Sequence, residues 1–89
     1  MKVYILIRKR FLIDGGVDYA AAIDNDEISI YKTREDAEIV RSRKFEYEKA
    51  FFANAIYKEE TGEDFLSLTY KNGSRTIFEI VEKEIITNI

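Results

Sequence analysis

The sequence predicts an α+β two-layer sandwich, an antiparallel sheet of order β-β-α-(β)-β with one long helix on one face. Three observations carry that prediction. Val3-Tyr4-Ile5-Leu6-Ile7 is a β-branched and aromatic run too short for a helix, and so reads as a strand. Thr33-Arg34-Glu35-Asp36 has the signature of a helix start, a hydroxyl cap followed by acids at the positive end of the dipole. Thr76-Ile77-Phe78-Glu79-Ile80-Val81-Glu82 is a further strand, which a right-handed crossover brings beside the first and antiparallel to it. Eighty-nine residues supply a single small core, so 1–89 is expected to be one domain, and no internal repeat or low-complexity segment divides it.

Alternation along the first strand puts Val3, Ile5, Ile7, Phe11 and Ile13 on one face, with Lys9 the exception. Lys2, Tyr4, Leu6, Arg8, Arg10 and Leu12 lie on the other. The first set reads as the core face and the second as an amphipathic, partly wet one. Asp14-Gly15-Gly16 is a turn signal that returns the chain as a hairpin strand within 18–32. Ile23-Asp24-Asn25-Asp26-Glu27 interrupts that strand as a bulge or small loop before Ile28-Ser29-Ile30-Tyr31.

The helix capped by Thr33 is expected to run to about residue 60, with Gly62 near its stop. Its apolar arc holds Ala37, Val40, Tyr47, Phe51 and Ala55, flanked by Phe45, Phe52 and Ile56, yet Arg41, Lys44 and Glu48 fall inside it. From Ala50 to Tyr57 the pattern is apolar nearly all round, and a bend near 43–46 would reconcile the two halves. Lys71-Asn72-Gly73-Ser74 is a two-residue hairpin signal, favouring strands over 65–71 and 75–86. The alternative is a short helix over 63–71 ended by the same Asn-Gly.

Composition narrows the chemistry. The chain contains no His, Cys, Trp or Pro, which excludes thiol- and His-based nucleophilic catalysis, His/Cys zinc sites and disulfides. Seventeen acids make carboxylate pairs common by chance, and no apolar pocket can be placed around any of them. Asp24-Asn25-Asp26-Glu27 fails the EF-hand pattern, which needs glycine at the sixth position where this chain has Ser29, and so reads as a solvated turn. Neither GxGxxG nor GxxxxGK[ST] occurs, so the glycines make no phosphate cradle. The expectation is a non-enzymatic chain without cofactor or metal.

The net charge of −3 hides segregation: residues 1–13 carry four bases and no acid, residues 14–31 five acids and no base. The acidic balance argues against a dedicated nucleic-acid binder. Arg8 and Arg10 share a strand face with Tyr4, however, which offers guanidinium groups and a ring to a single strand. The competing reading pairs those bases with Asp18–Glu27 across the hairpin. Arg34, Arg41, Arg43 and Lys44, interleaved with Glu35, Asp36, Glu38, Glu46 and Glu48, read as a solvated helix face. No run is long and apolar enough to span a bilayer and no signal peptide is visible, so a cytoplasmic location is expected.

Phe45, Tyr47, Phe51, Phe52 and Tyr57 surround more of a helix than one sheet can cover. They serve either as core or as the contact with a second copy or a partner protein.

Lys2-Val3-Tyr4-Ile5-Leu6, the strand-to-helix stretch from Ile28 to Glu38, and Thr76 to Ile85 together resemble a loose family of small uncharacterised bacterial and phage proteins. The resemblance covers about a third of the chain. It departs from the family pattern at Ile28–Tyr31, which lacks the preceding glycine, and in its longer aromatic helix. It implies a ββαβ fold and a phage or prophage origin, and transfers no functional residue. The expected function is a non-enzymatic protein-interaction module, such as a phage accessory or inhibitor protein acting on a host protein. Phe45, Tyr47, Phe51, Phe52 and Tyr57 would make the contact. The alternative is a weak single-stranded nucleic-acid binder using Tyr4, Arg8 and Arg10.

Overall fold

Strand β1, Lys2–Asp14, is the long central element around which the sheet is organised. The computed structural model describes the backbone of residues 1–14, 17–23 and 27–86, and the side chains of residues 1–11 and 27–86. Strands β2 (Val17–Ile23) and β3 (Glu27–Tyr31) pair antiparallel with successive stretches of β1, along one edge of it. Gly15, Gly16 and residues 24–26, and with them the expected turn at Asp14-Gly15-Gly16 and the expected interruption at Ile23–Glu27, lie outside the described residues; the β1–β2 register shifts between Phe11 and Ile13.

Helix α1, Arg34–Phe51, starts where the sequence places it: the Thr33 hydroxyl accepts the Asp36 N–H at 3.1 Å, with Glu35 and Asp36 in the first turn. It ends nine residues short of the expected stop near 60. A 3₁₀ turn over Ala53–Ala55 leads into strand β4, Ile56–Thr61, which pairs with β5, Phe65–Tyr70. The all-round apolar character of 50–57 therefore marks a change from helical to strand period, not a bend in one helix. Ile, Tyr and Thr favour the strand, and Lys58, Glu59 and Glu60 suit a solvated edge. Gly62 belongs to the β4–β5 turn. A Cβ there would come within 2.2 Å of the Phe65 ring, so a close approach demands glycine at this position.

β5 and β6 (Arg75–Glu84) form the hairpin expected around Asn72-Gly73. The Tyr70 carbonyl accepts the Gly73 N–H at 2.9 Å, and the Tyr70 N–H donates to the Ser74 carbonyl at 2.8 Å. The loop is therefore Lys71–Gly73, one residue longer than a two-residue turn, with Gly73 at φ 92° in the left-handed position. β6 returns beside β1, antiparallel, in register from Lys2↔Glu84 to Phe11↔Arg75. The result is one antiparallel sheet, β2/β3-β1-β6-β5-β4, with α1 on one face: an α+β two-layer arrangement.

The helix covers the face that alternation had marked as wet. Leu6, Leu68, Phe78 and Ile80 meet Ala37 and Phe45 of α1 in the core, with Tyr4, Tyr31, Leu66 and Tyr70 packed around them. Val3, Ile5, Ile7 and Phe11 lie on the opposite, helix-free face with Ile28 and Ile30 of β3 and Ile77 and Val81 of β6. The physical reason is charge. The even-numbered face of β1 carries Arg8 and Arg10, and the inward arc of α1 carries the Glu48 that neutralises them.

Candidate functional site

One flank of α1 gathers most of the chemistry-bearing side chains. Glu48, one turn before the helix ends, points into the sheet and is only 6% exposed. Its Oε1 accepts hydrogen bonds from the Arg10 guanidinium, from the Tyr70 hydroxyl at 2.9 Å and from the Thr76 hydroxyl at 3.2 Å. Arg8 Nη1 lies 3.8 Å from Oε2, so two cations and two hydroxyls surround one carboxylate. A buried carboxylate needs this set, because its desolvation is offset only by charge and by satisfied lone pairs. Burial pushes the Tyr70 phenol up to about 12; the Thr76 hydrogen bond opposes that shift and the Glu48 contact adds to it.

Glu27 of β3 continues the network outward. It lies 3.7 Å from Arg8 Nε and contacts the Lys44 ammonium directly. Burial, and then the neighbouring Arg8 charge, hold Lys44 below its ordinary value despite that carboxylate. The expectation that mixed charges on this helix form a wholly solvated face is thus corrected at three positions. Glu48 and Arg41 are buried, and Lys44 is half-buried. Arg41 is the outlier: its Nε and Nη1 have no hydrogen-bond partner among the described residues, and burial lowers its pKa.

The aromatic residues divide three ways. Phe45 is core, 5% exposed and edge-on to Phe78 at 6.2 Å, so its expected place in a partner contact is corrected. Tyr47 and Phe51 are 74% and 71% exposed and stack on each other at 6.5 Å. Phe52 meets Phe51 edge-on at 4.7 Å and Tyr70 at 5.3 Å, which ties the exposed pair to the hairpin and the Glu48 network. Tyr57 is exposed too, but on β4 and not on the helix, outside this chain of ring contacts.

Beneath these rings runs a furrow between α1 and β1. Arg8, Tyr47 and Glu48 line one stretch, and Arg10 and Phe52 join it to a cleft of about 500 Å³ walled by Tyr70, Ala55 and Lys71. Five cations (Arg8, Arg10, Arg43, Lys44 and Lys71) line it against two acids, Glu27 and Glu48. In a chain of net charge −3 this is a locally basic, aromatic-rimmed surface. Sequence reasoning missed Tyr70, Arg43 and Lys71. The helical spacing of Lys44, Tyr47, Glu48 and Phe51 was visible; the hairpin that slides Tyr70 and Lys71 under the helix end was not.

Tyr4, Arg8 and Arg10 do share one strand face, as alternation requires, but that face lies under the helix. Tyr4 packs against the core, while Arg8 and Arg10 are engaged by Glu48. The expected open platform for a single strand is therefore corrected. The cross-strand alternative holds at Arg8 and Glu27, which are register partners. Among the described residues no three His, Cys, Asp or Glu side chains gather as a metal site, and no helix is long and apolar enough to cross a membrane. Comparison of the chain with protein-family models, curated proteins and solved structures finds no match.

Proposed function

We propose that this chain is a non-enzymatic protein-interaction module that contacts its partner through the end of α1, with Tyr47, Phe51 and Phe52 as anchors. One observation carries the reading: two large aromatic side chains, stacked on each other, stand more than two-thirds exposed above a furrow rich in cations. Aromatic rings beside arginines supply most of the energy of protein interfaces, and leaving them in water has a hydrophobic cost that only a partner recovers. The sign of the furrow favours a partner segment that is both apolar and acidic. The resemblance to small phage proteins supplies the setting, an accessory or inhibitor protein acting on a host protein in the cytoplasm.

Co-purification of the tagged chain from host lysate, with and without nuclease, tests this reading. The expected result is a stoichiometric protein that survives nuclease and is lost with Phe51→Asp, a surface change that leaves the circular dichroism spectrum unaltered. Capture that is indifferent to Phe51→Asp overturns the assignment. Material that vanishes with nuclease and responds to Arg43→Glu supports nucleic-acid binding instead.

A further inference from the structure

The cleft between the end of α1 and the last hairpin is a site of a different kind from the aromatic rim, and its hydrogen-bond inventory shows what it can hold. Its floor is apolar: Phe52, Ala55 and Tyr70 are half-buried, and the Phe52 and Tyr70 rings meet at 64° with centroids 5.3 Å apart. The two rings make a corner, and the small side chain of Ala55 leaves the space in front of it open. The Tyr70 hydroxyl is spent on Glu48 and Thr76, so what Tyr70 adds to the cleft is its ring. At about 500 Å³ the space falls within the range of about 300–1,000 Å³ typical of small-molecule sites.

The mouth has the opposite character. Asn54, Lys71 and Asn72 are exposed there. The backbone acceptors around them are already engaged. The Phe52 carbonyl accepts the Ala55 N–H at 2.8 Å, the Ala55 carbonyl the Lys71 N–H at 2.7 Å, and the Ser74 carbonyl the Tyr70 N–H at 2.8 Å. The Asn72 side-chain oxygen accepts from the Ser74 N–H at 2.8 Å, which turns the nitrogen of that amide the other way. The donors are not engaged: the Lys71 ammonium and the Asn54 and Asn72 side-chain amides donate to nothing among the described residues. No acidic side chain lines the cleft among the described residues, and Arg10 at its inner end is neutralised by Glu48. One uncommitted positive charge and two amide donors therefore stand over an apolar corner.

We propose that this cleft binds a small aromatic carboxylate, its ring in the corner of Phe52 and Tyr70 and its carboxylate at Lys71, Asn54 and Asn72. A single lysine balances a single charge, which suits a carboxylate better than a phosphate dianion. The two half-buried rings select the aromatic body, because ring pairs gain more than area burial alone supplies. Tyr47 and Phe51 lie outside the cleft, so the ligand site does not rest on the function proposed above.

A proton–nitrogen NMR titration of the full chain with cinnamate is the test. The expected result is saturable shifts at the Lys71, Asn72 and Ser74 amides and at the Asn54 and Asn72 side chains. Kd should be a few millimolar, the affinity that a ligand this small reaches at ordinary efficiency. Lys71→Glu, an exposed change that keeps the circular dichroism spectrum, should weaken binding about fivefold or more. Cinnamyl alcohol, neutral and of the same shape, should bind more weakly by a similar factor, and acetate, which lacks the ring, should give no saturable shift. Ala55→Leu fills the corner and should abolish binding, whereas Phe51→Asp should leave Kd unchanged. Absence of saturable shifts up to about 20 mM cinnamate overturns the proposal. Equal binding of acid and alcohol overturns it as well, since the cleft is then a bare apolar patch, and so does binding unmoved by Lys71→Glu. If only a peptide with adjacent aromatic and acidic residues binds, the cleft belongs to the protein partner and the small-molecule site falls.

Discussion

Glu48→Ala removes the one carboxylate that holds the end of α1 to three strands. In the folded chain Glu48 is 6% exposed and accepts from Arg10, Tyr70 and Thr76, with Arg8 close by. Deleting one partner of a buried ion pair costs about 3–5 kcal/mol, because the remaining charge stays desolvated. Here the arginine side chains keep 24% and 23% of their exposure and can swing toward water, and the two hydroxyls still have each other at 3.1 Å. The expected loss is therefore about 2–3 kcal/mol, at or below the low end of that range. With about 4–8 °C per kcal/mol for a domain of this size, Tm should fall by about 10–20 °C. Thermal melts and urea titration followed by circular dichroism read the change directly. Glu48→Met with Arg10→Met replaces both charges by apolar groups of similar volume and should recover most of the loss. A Glu48→Ala loss under about 0.5 kcal/mol would refute the network as a stabilising element. A double variant no better than Glu48→Ala would refute the pairing.

The other predictions concern single side chains. Arg41→Met, which removes two buried guanidinium nitrogens without partners among the described residues while roughly keeping the side-chain length, should raise stability by about 1–2 kcal/mol; a lower Tm sinks the reading of Arg41 as an unsatisfied cation. Tyr70 has a folded pKa of about 12 against an ordinary 10.0, raised by burial first. Its contribution to stability is therefore fully present below pH 10 and lost as pH climbs through 12, because the unfolded chain releases the proton first. The ultraviolet difference titration between wild type and Tyr70→Phe should show no ionisation near pH 10, and a midpoint there would contradict the buried phenol.

Much of the fold was legible because it is written in local chemistry. Thr33 caps α1, Asn72-Gly73 turns the last hairpin, and the runs at 3–7 and 76–82 are strands. Two departures, the buried face of β1 and the charges inside the helix arc, share one cause: apolar character does not reveal a charge pairing between helix and strand. On β1 the richer apolar face was assigned to the core. Along α1 the presence of Arg41, Lys44 and Glu48 inside the inward arc was then an anomaly. Two of those three answer the first error directly. Glu48 meets Arg8 and Arg10, and Lys44 meets the Glu27 that also faces Arg8. A strand face with bases and a helix arc with a carboxylate were each odd alone and complementary together. The boundary near Phe52 was beyond local reasoning, since Ile56–Thr61 becomes a strand only when β5 is there to pair with it. Of the aromatic residues, helical spacing put Tyr47 and Phe51 in the apolar arc and Phe45 on its flank, whereas Phe45 is core and Tyr47 and Phe51 are exposed. It could not separate Phe45, whose burial depends on Phe78 from the far end of the chain.

The pairing of β1 with β6, from Lys2↔Glu84 to Phe11↔Arg75, also sets the order in which the molecule can be made. β5 with β6 is a hairpin and β1 with β3 a medium-range contact across β2, and both close at smaller entropic cost than β1 with β6. The seam that joins the two halves closes a loop nearly as long as the chain, so its formation is expected to limit the folding rate. On a ribosome, β1 emerges first and waits for its central neighbour until β6 has been synthesised. Throughout that interval it exposes an unpaired edge and the isoleucines of both its own row and β3. The chain is thus most prone to aggregation not in its finished form but during synthesis, and slowing initiation so that nascent copies stay apart should raise the yield of folded protein.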